Sequence, residues 1–219
     1  MIRGLLFDLD GTMILSDPLH VAVFADLFAE RGRRIDAEFF RDRIQGRLNA
    51  DIFAEFFPDE DGTALADLKE ARFRDRLGTS AAPVRGLPAL LDEAAEAGLA
   101  LAVVTNAPAR NADAMLSAMG LADRFDAVVI GDALPRGKPD PLPYVTGLER
   151  LGLAPEEALA FEDSVSGVTA ATRAGIATVG IRSSLDDAAL RAAGAVASIH
   201  DYTDPGFAPW RARIQQETA

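Results

Sequence analysis

Leu5-Leu6-Phe7-Asp8-Leu9-Asp10-Gly11-Thr12 is an apolar run that ends on two carboxylates and a glycine turn. A strand buried on both faces has no solvent reason to carry acid, so the aspartates mark where the strand stops. Side chains two apart in extended backbone lean the same way, which brings Asp8 and Asp10 to one site if that geometry persists into the turn. Two adjacent carboxylates repel, and one pKa rises unless a cation intervenes. The arrangement suits a divalent metal, or an ionised nucleophile beside a protonated general acid. The same letters also spell an ordinary Asp-Gly turn at a strand end, so the rest of the chain has to decide between the two.

Downstream, one pattern recurs. From residue 83 an amphipathic stretch, a glycine and a short apolar run alternate, as in Glu96-Ala97-Gly98-Leu99 before Ala100-Leu101-Ala102-Val103-Val104. Gly120, Gly152, Gly175 and Gly194 repeat the punctuation. A glycine just past a helix takes the left-handed conformation that closes it, so each marks a helix handing over to a strand. Strands are predicted over residues 2–8, 100–105, 126–130, 158–162, 177–181 and 195–199, mostly continuous apolar runs of the kind found in covered parallel sheets. Residues 16–82 differ, with helices predicted over 18–31, 37–44, 50–57 and 63–77. Their Leu27, Phe28, Phe39, Phe40, Phe53, Phe56 and Phe57 recur at helical spacing and read as the core of a bundle. The fold class is therefore α/β: a Rossmann-like doubly wound parallel sheet core, residues 1–15 and 83–219, with a helical cap, residues 16–82, inserted after the first strand. Ligands of open α/β sheets bind at the carboxyl ends of the strands, so an insert leaving just past Asp10 is expected to act as a lid.

Composition narrows the partners. The 219 residues are 49% hydrophobic, enough for one core domain with a smaller insert. With 34 acidic against 22 basic residues the net charge is -12, which argues against a nucleic-acid surface and against anionic membranes. An anionic substrate then needs a metal or local basic residues. The absence of cysteine excludes disulfides, thiol nucleophiles and thiolate metal sites. Met-Ile-Arg-Gly-Leu-Leu-Phe before Asp8 is too short and too soon charged for a signal peptide, and a cytoplasmic monomer or weak homodimer is expected. Trp210 is expected to anchor a last helix on the core.

Three further polar elements come after later predicted strands in a fixed order. Val103-Val104-Thr105-Asn106 ends a strand on a hydroxyl and an amide. Arg136-Gly137-Lys138-Pro139-Asp140-Pro141 presents one lysine from a loop stiffened by proline and glycine. Leu159-Ala160-Phe161-Glu162-Asp163-Ser164 stops on acids before a helix that Ser164 is suited to cap. Together with Asp8 to Thr12, these elements resemble the four motifs of the haloacid dehalogenase-like hydrolase superfamily, over residues 2 to about 180.

The resemblance implies a set of roles. Asp8 is nucleophile and Mg²⁺ ligand, and Asp10 is the acid-base residue whose backbone carbonyl also reaches the metal. Thr105 binds the phosphoryl group with its hydroxyl and Asn106 through its backbone, while Lys138 pairs with Asp8 and the phosphoryl oxygens. Asp163 is a direct metal ligand, and Glu162 orients metal-bound water from behind it. In such chemistry an ionised Asp8 attacks phosphorus to form a transient phosphoaspartate, and Asp10 protonates the leaving oxygen and later takes a proton from water. A halide leaves without a proton and the dehalogenase branch lacks the second acid, so Asp10 points to phosphate esters.

Ser16-Asp17-Pro18-Leu19-His20 and Gln45-Gly46-Arg47 resemble the cap of the phosphoglycolate phosphatase and β-phosphoglucomutase-like group. That makes His20, Arg47 and Lys69 candidate substrate-binding residues. The mutase pattern carries an arginine three residues past the cap glycine, and Asn49 stands there instead. A phosphatase acting on a small phosphorylated metabolite is the expected function. A β-phosphoglucomutase-type mutase is the alternative, and a non-enzymatic phosphoacceptor module is a third reading. No G-x-G-x-x-G comes after the first strand, which counts against a dinucleotide enzyme.

Overall fold

The apolar runs form one parallel sheet of six strands: β1 (Gly4–Phe7), β2 (Ala100–Thr105), β3 (Ala127–Ile130), β4 (Ala158–Glu162), β5 (Ala177–Ile181) and β6 (Ala197–Ile199). They lie in the order β3-β2-β1-β4-β5-β6, the doubly wound arrangement, in which the winding reverses between β1 and β4. This is a computed structural model, and it describes residues 1–44, 47 and 49–214. The helices are α1 (Asp17–Ala29), α2 (Ala37–Arg43), α3 (Asn49–Phe56), α4 (Gly62–Leu77), α5 (Leu87–Glu96), α6 (Ala109–Ala118), α7 (Leu142–Leu151), α8 (Val165–Arg173), α9 (Asp187–Ala192) and α10 (Ala208–Ile214). No helix among the described residues is long and apolar enough to cross a membrane.

Why these runs pair is a matter of burial. β1 and β4 are buried at every residue, so their polar backbone must be satisfied by neighbouring strands. Register places Phe7 beside both Val103 of β2 and Phe161 of β4. Successive side chains alternate faces, so Phe7 and Phe161 stack on one side of the sheet, ring centroids 4.9 Å apart, with Tyr202 edge-on to Phe161 at 5.3 Å. On the other face Leu6, Val104, Val129 and Ala160 pack with Tyr144 and Leu148 of α7 and Ala170 and Ala171 of α8. Gly152, at φ 66°, closes α7, and its N–H bonds back to the last-turn carbonyls. The strand predicted over residues 195–199 is shorter, beginning at Ala197, and β1 stops at Phe7. Burial at the last helix falls on Ile214, and on Phe207 just before the helix, whereas Trp210 is half-buried beneath the Arg213 guanidinium, 4.8 Å from its ring.

The chain falls into two compact units, Met1–Leu15 with the residues from Ser80 onward, and Ser16–Thr79. The second unit contains α1 to α4 around an aromatic centre in which Phe24, Phe28, Phe53 and Phe73 are buried. Asp36 caps α2 by accepting from Phe39 N–H at 2.8 Å, and Asp61 caps α4 by accepting from Thr63 and Ala64. Gln45 and Gly46 of the cap motif lie outside the described residues.

Candidate active site

The carboxyl ends of β1, β2 and β4 meet where the winding reverses, and the polar motifs gather there. Asp8, one residue past β1, donates its N–H to the Phe161 carbonyl at 3.0 Å and is thereby fixed beside the end of β4. Lys138 arrives from the loop between β3 and α7. Its peptide is clamped by Asn106: the Lys138 N–H donates to Oδ1 at 3.1 Å, and Nδ2 donates to the Lys138 carbonyl at 3.2 Å. The ammonium has three hydrogens, and each has an acceptor: Asp8 Oδ1 at 2.6 Å, the Val104 carbonyl at 2.7 Å and Glu162 Oε1 at 2.5 Å. Only 3% of the Lys138 side chain is exposed, and none of Glu162. For Lys138 to reach a phosphoryl oxygen as well, one of these three bonds must be exchanged.

Glu162 is equally committed. Oε1 accepts from Lys138 and from the Tyr144 hydroxyl at 3.0 Å; Oε2 accepts from the Asp163 N–H at 3.1 Å and from Ser164 Oγ at 3.2 Å. Ser164 also caps α8 by accepting from the Gly167 N–H. A β-carbon at Gly167 would overlap the Glu162 carboxylate, so this helix start approaches only because glycine is there. Asp163 is oriented by Ser183, whose Oγ donates to Oδ2 at 2.7 Å. Gly11 sits at φ 72° over the same carboxylate, where any side chain would collide with it.

Asp8, Glu162 and Asp163 bring carboxylate oxygens within 4.8 Å of one another. When ionised, these three against the single Lys138 ammonium leave two negative charges, the complement of one divalent cation. The donor set is all oxygen, as a hard cation such as Mg²⁺ requires. Because the Glu162 oxygens are filled by hydrogen bonds, Asp8 and Asp163 are the carboxylates that fit such an ion. The site therefore accommodates the cation that the sequence resemblance implies.

The extended geometry does not run on to Asp10. Residues 9–14 form a tight loop, in which Met13 N–H bonds to the Leu9 carbonyl, Gly11 N–H bonds to the Ile14 carbonyl and Asp10 bridges to Ile14. Asp10 nonetheless remains near enough for its charge to act on Asp8. Thr105 is buried, and its Oγ1 accepts from the Ala107 N–H at 2.9 Å. That leaves its own hydrogen to donate.

Burial pushes the Asp8 carboxyl from 3.8 up to about 7 against the pull of Lys138, and Glu162 and then Asp10 add to the rise. Burial also works against the Lys138 ammonium, but Asp8 and Glu162 outweigh it and its pKa lies above the ordinary lysine value. Tyr144 is raised by burial first and then by Glu162, so its hydroxyl stays protonated and donates. Asp8 thus holds its proton more tightly in the folded chain than in the unfolded one, which fixes the sign of its effect on stability. Without divalent cation, its favourable contribution is complete below pH about 4 and is lost as pH rises through about 7. Asp8→Asn mimics the protonated form. Its melting temperature is therefore expected to match that of the parent near pH 4 and to exceed it increasingly up to pH 8 in EDTA, as thermal scans across that range will test.

In the helical unit Lys69 is buried, with Nζ 2.8 Å from Glu70 Oε1, and Asn49 Nδ2 donates to the same oxygen at 2.6 Å. His20 stacks on Phe73, ring centroids 4.3 Å apart. Arg47 turns to Glu55 at 2.8 Å and to the Arg43 carbonyl, a separate exposed cluster. Two residues of the main site carry no sequence signal of their role. Tyr144 lies six residues beyond Lys138 in a helical stretch, where it looks like any core aromatic, and Ser183 comes after β5 in a serine-rich loop.

A doubly wound sheet with a buried ammonium–carboxylate cluster at its switch point defines an α/β fold of the kind that carries enzymes at its carboxyl edge. The haloacid dehalogenase-like hydrolase family matches residues 5–181. The chain belongs to that family and is one of its phosphoric monoester hydrolases. It is 30% identical over 185 residues to the N-acetylmuramic acid 6-phosphate phosphatase of Pseudomonas aeruginosa, covering 83% of this chain and 82% of the relative. It is 35% identical over 179 residues to a phosphoglycolate phosphatase of Xylella fastidiosa, covering 80% and 77%. Among solved structures, CbbY from Rhodobacter sphaeroides in complex with phosphate matches with a TM-score of 0.79 at 29% identity, over 92% of this chain and 95% of that one.

Proposed function

We propose that this enzyme is a Mg²⁺-dependent phosphatase that hydrolyses a small phosphomonoester, of phosphoglycolate or sugar phosphate type, through a phosphoaspartate on Asp8. The observation that carries the reading is the buried Asp8–Lys138–Glu162 cluster beside Asp163, a charge set that fits one divalent cation. Asp8 and Asp163, with the Asp10 carbonyl, would hold the Mg²⁺, whose charge would keep Asp8 ionised and neutralise phosphoryl oxygens. An Asp8 carboxylate oxygen attacks phosphorus, and the ester oxygen leaves with a proton from Asp10. Asp10 then takes a proton from the water that attacks the phosphorus of phospho-Asp8, releasing inorganic phosphate and restoring the carboxylate. Thr105 donates its hydroxyl hydrogen to the phosphoryl group. The helical unit is read as the cap of the family, with His20 and Lys69 as its substrate-reading side chains. The charge of Lys69 is matched by Glu70, which leaves little attraction for a second phosphate and favours a phosphatase over a bisphosphate-primed mutase.

The test is leaving-group chemistry with and without metal. Hydrolysis of both p-nitrophenyl phosphate and an alkyl phosphate is expected with Mg²⁺ and not in EDTA. Asp10→Asn is expected to slow the first turnover of the alkyl ester by about 10²–10⁴-fold and that of the nitrophenyl ester far less, because nitrophenolate leaves without a proton. Rapid-quench measurements decide it: equal losses for the two esters remove Asp10 as the acid, and equal rates in Mg²⁺ and EDTA remove the mechanism.

A further inference from the structure

Lys138 has two anionic neighbours competing for one charge, and the closer contact is to Glu162, at 2.5 Å against 2.6 Å for Asp8. What limits the pull of Glu162 is how its oxygens are otherwise used. Oε2 is occupied by the backbone and side chain at the start of α8, and Gly167 packs so closely that the carboxylate cannot retreat toward that helix. Oε1 is shared between Lys138 and the hydroxyl of Tyr144. Tyr144 is fully buried, and Nζ lies over the face of its ring, 5.1 Å from the centroid. The helix that bears Tyr144 begins four residues after Lys138, so one loop-and-helix segment delivers both the cation and the donor that occupies its rival acceptor.

We propose that Tyr144 is a positioning residue for the phosphoryl-transfer step: by donating to Glu162 it weakens the hold of that carboxylate on Lys138 and keeps the ammonium on Asp8. The inference rests on Asp8 being the nucleophile. Removing the hydroxyl leaves Glu162 Oε1 with Lys138 as its one hydrogen-bond donor among the described residues, and the ammonium shifts toward Glu162 and off Asp8. The attacking oxygen of Asp8 is then less firmly oriented toward phosphorus, while Thr105 and the side chains of the helical unit keep their places.

The experiment is a double-mutant cycle between Tyr144→Phe and Glu162→Gln in the full chain, with Asp8→Asn as control and p-nitrophenyl phosphate with Mg²⁺ as probe. Tyr144→Phe keeps the ring in the core. It is expected to lower kcat about tenfold, the effect of one hydrogen bond to a charged group, with KM changed less than twofold. In the Glu162→Gln background the same change is expected to cost less than twofold. Tyr144→Leu, which removes ring and hydroxyl together, separates packing from positioning. If kcat tracks melting temperature across parent, Phe and Leu proteins, or if the Phe substitution costs the same in both backgrounds, Tyr144 is a packing residue and the proposal is wrong. A kcat for Tyr144→Phe within twofold of the parent overturns it as well. Those outcomes are distinct from failure of the nucleophile assignment, which shows as Asp8→Asn retaining the parent rate.

Discussion

Asp8→Asn is expected to cut phosphomonoester turnover by about 10⁴-fold or more, because the substitution removes the attacking oxygen charge while preserving shape. An amide nitrogen or oxygen at this position has no free anionic pair to offer phosphorus, and no phosphoaspartate can form. The loss is therefore expected in kcat, with substrate binding maintained. Acid quench of the parent enzyme during turnover of a ³²P-labelled phosphomonoester is expected to trap acid-stable label on the protein, and none on the variant. A variant turning over at more than about 1% of the parent rate places the nucleophile elsewhere, since residual catalysis from positioning alone falls far below that. Stability moves the other way: in EDTA near pH 8 the Asn variant melts higher, because the parent must then hold an ionised Asp8 in a buried site. Loss of activity together with a gain in metal-free stability distinguishes a catalytic charge from a structural one.

Lys138→Met is expected to be the most damaging single change to the fold of the site. It removes the ammonium shared by two carboxylates of which one is wholly buried and the other only 11% exposed. Taking one partner from a buried ionic cluster costs about 3–5 kcal/mol. For a domain of this size that corresponds to a fall in melting temperature of about 6–20 °C. Some of the cost is recovered as the orphaned Asp8, already raised by burial, takes up a proton, so the fall is expected to be smaller at pH 5 than at pH 8. Turnover is expected to drop by about 10³-fold or more, since Asp8 loses the charge that favours its ionised form. Differential scanning calorimetry at both pH values, paired with steady-state rates, checks both parts. A melting temperature within 2 °C of the parent at pH 8 would mean that Asp8 and Glu162 are not held as a charged cluster, since even about 1 kcal/mol would move it further.

The alternating pattern of helix, glycine and apolar run predicts the sheet because its causes are local. A fully buried strand must be apolar throughout, and a helix that ends on left-handed backbone needs glycine, so both leave marks that can be read one segment at a time. The acids at the ends of β1 and β4 are visible for the same reason: they interrupt runs in which charge is otherwise absent. Lys138 stands out through the proline and glycine around it. Tyr144 and Ser183 do not, because an aromatic in an amphipathic helix and a serine in a loop are what packing and solvent alone would select. The family resemblance makes Asn106 a phosphoryl contact through its backbone, and it says nothing of the side chain, which grips the peptide of Lys138.

Hydrophobic period and punctuation by themselves thus determined which segments are strands, which residues interrupt them and the chemical types available at the carboxyl edge. Which of those groups touch was decided by tertiary structure alone. Lys138 and Asp8 are 130 positions apart, and they meet because the strand order sets β4 beside β1 and the loop after β3 folds back over their ends. A carboxylate has several lone pairs and an ammonium has three hydrogens, so composition leaves many pairings open. Only the packed register, with Gly11 and Gly167 admitting the close approaches, selects one. That is why carboxylates able to hold a cation were legible at the strand ends, with the resemblance assigning Asp163 to the metal and Glu162 behind it, while the hydrogen bonds that fill the Glu162 oxygens appear only in the tertiary structure.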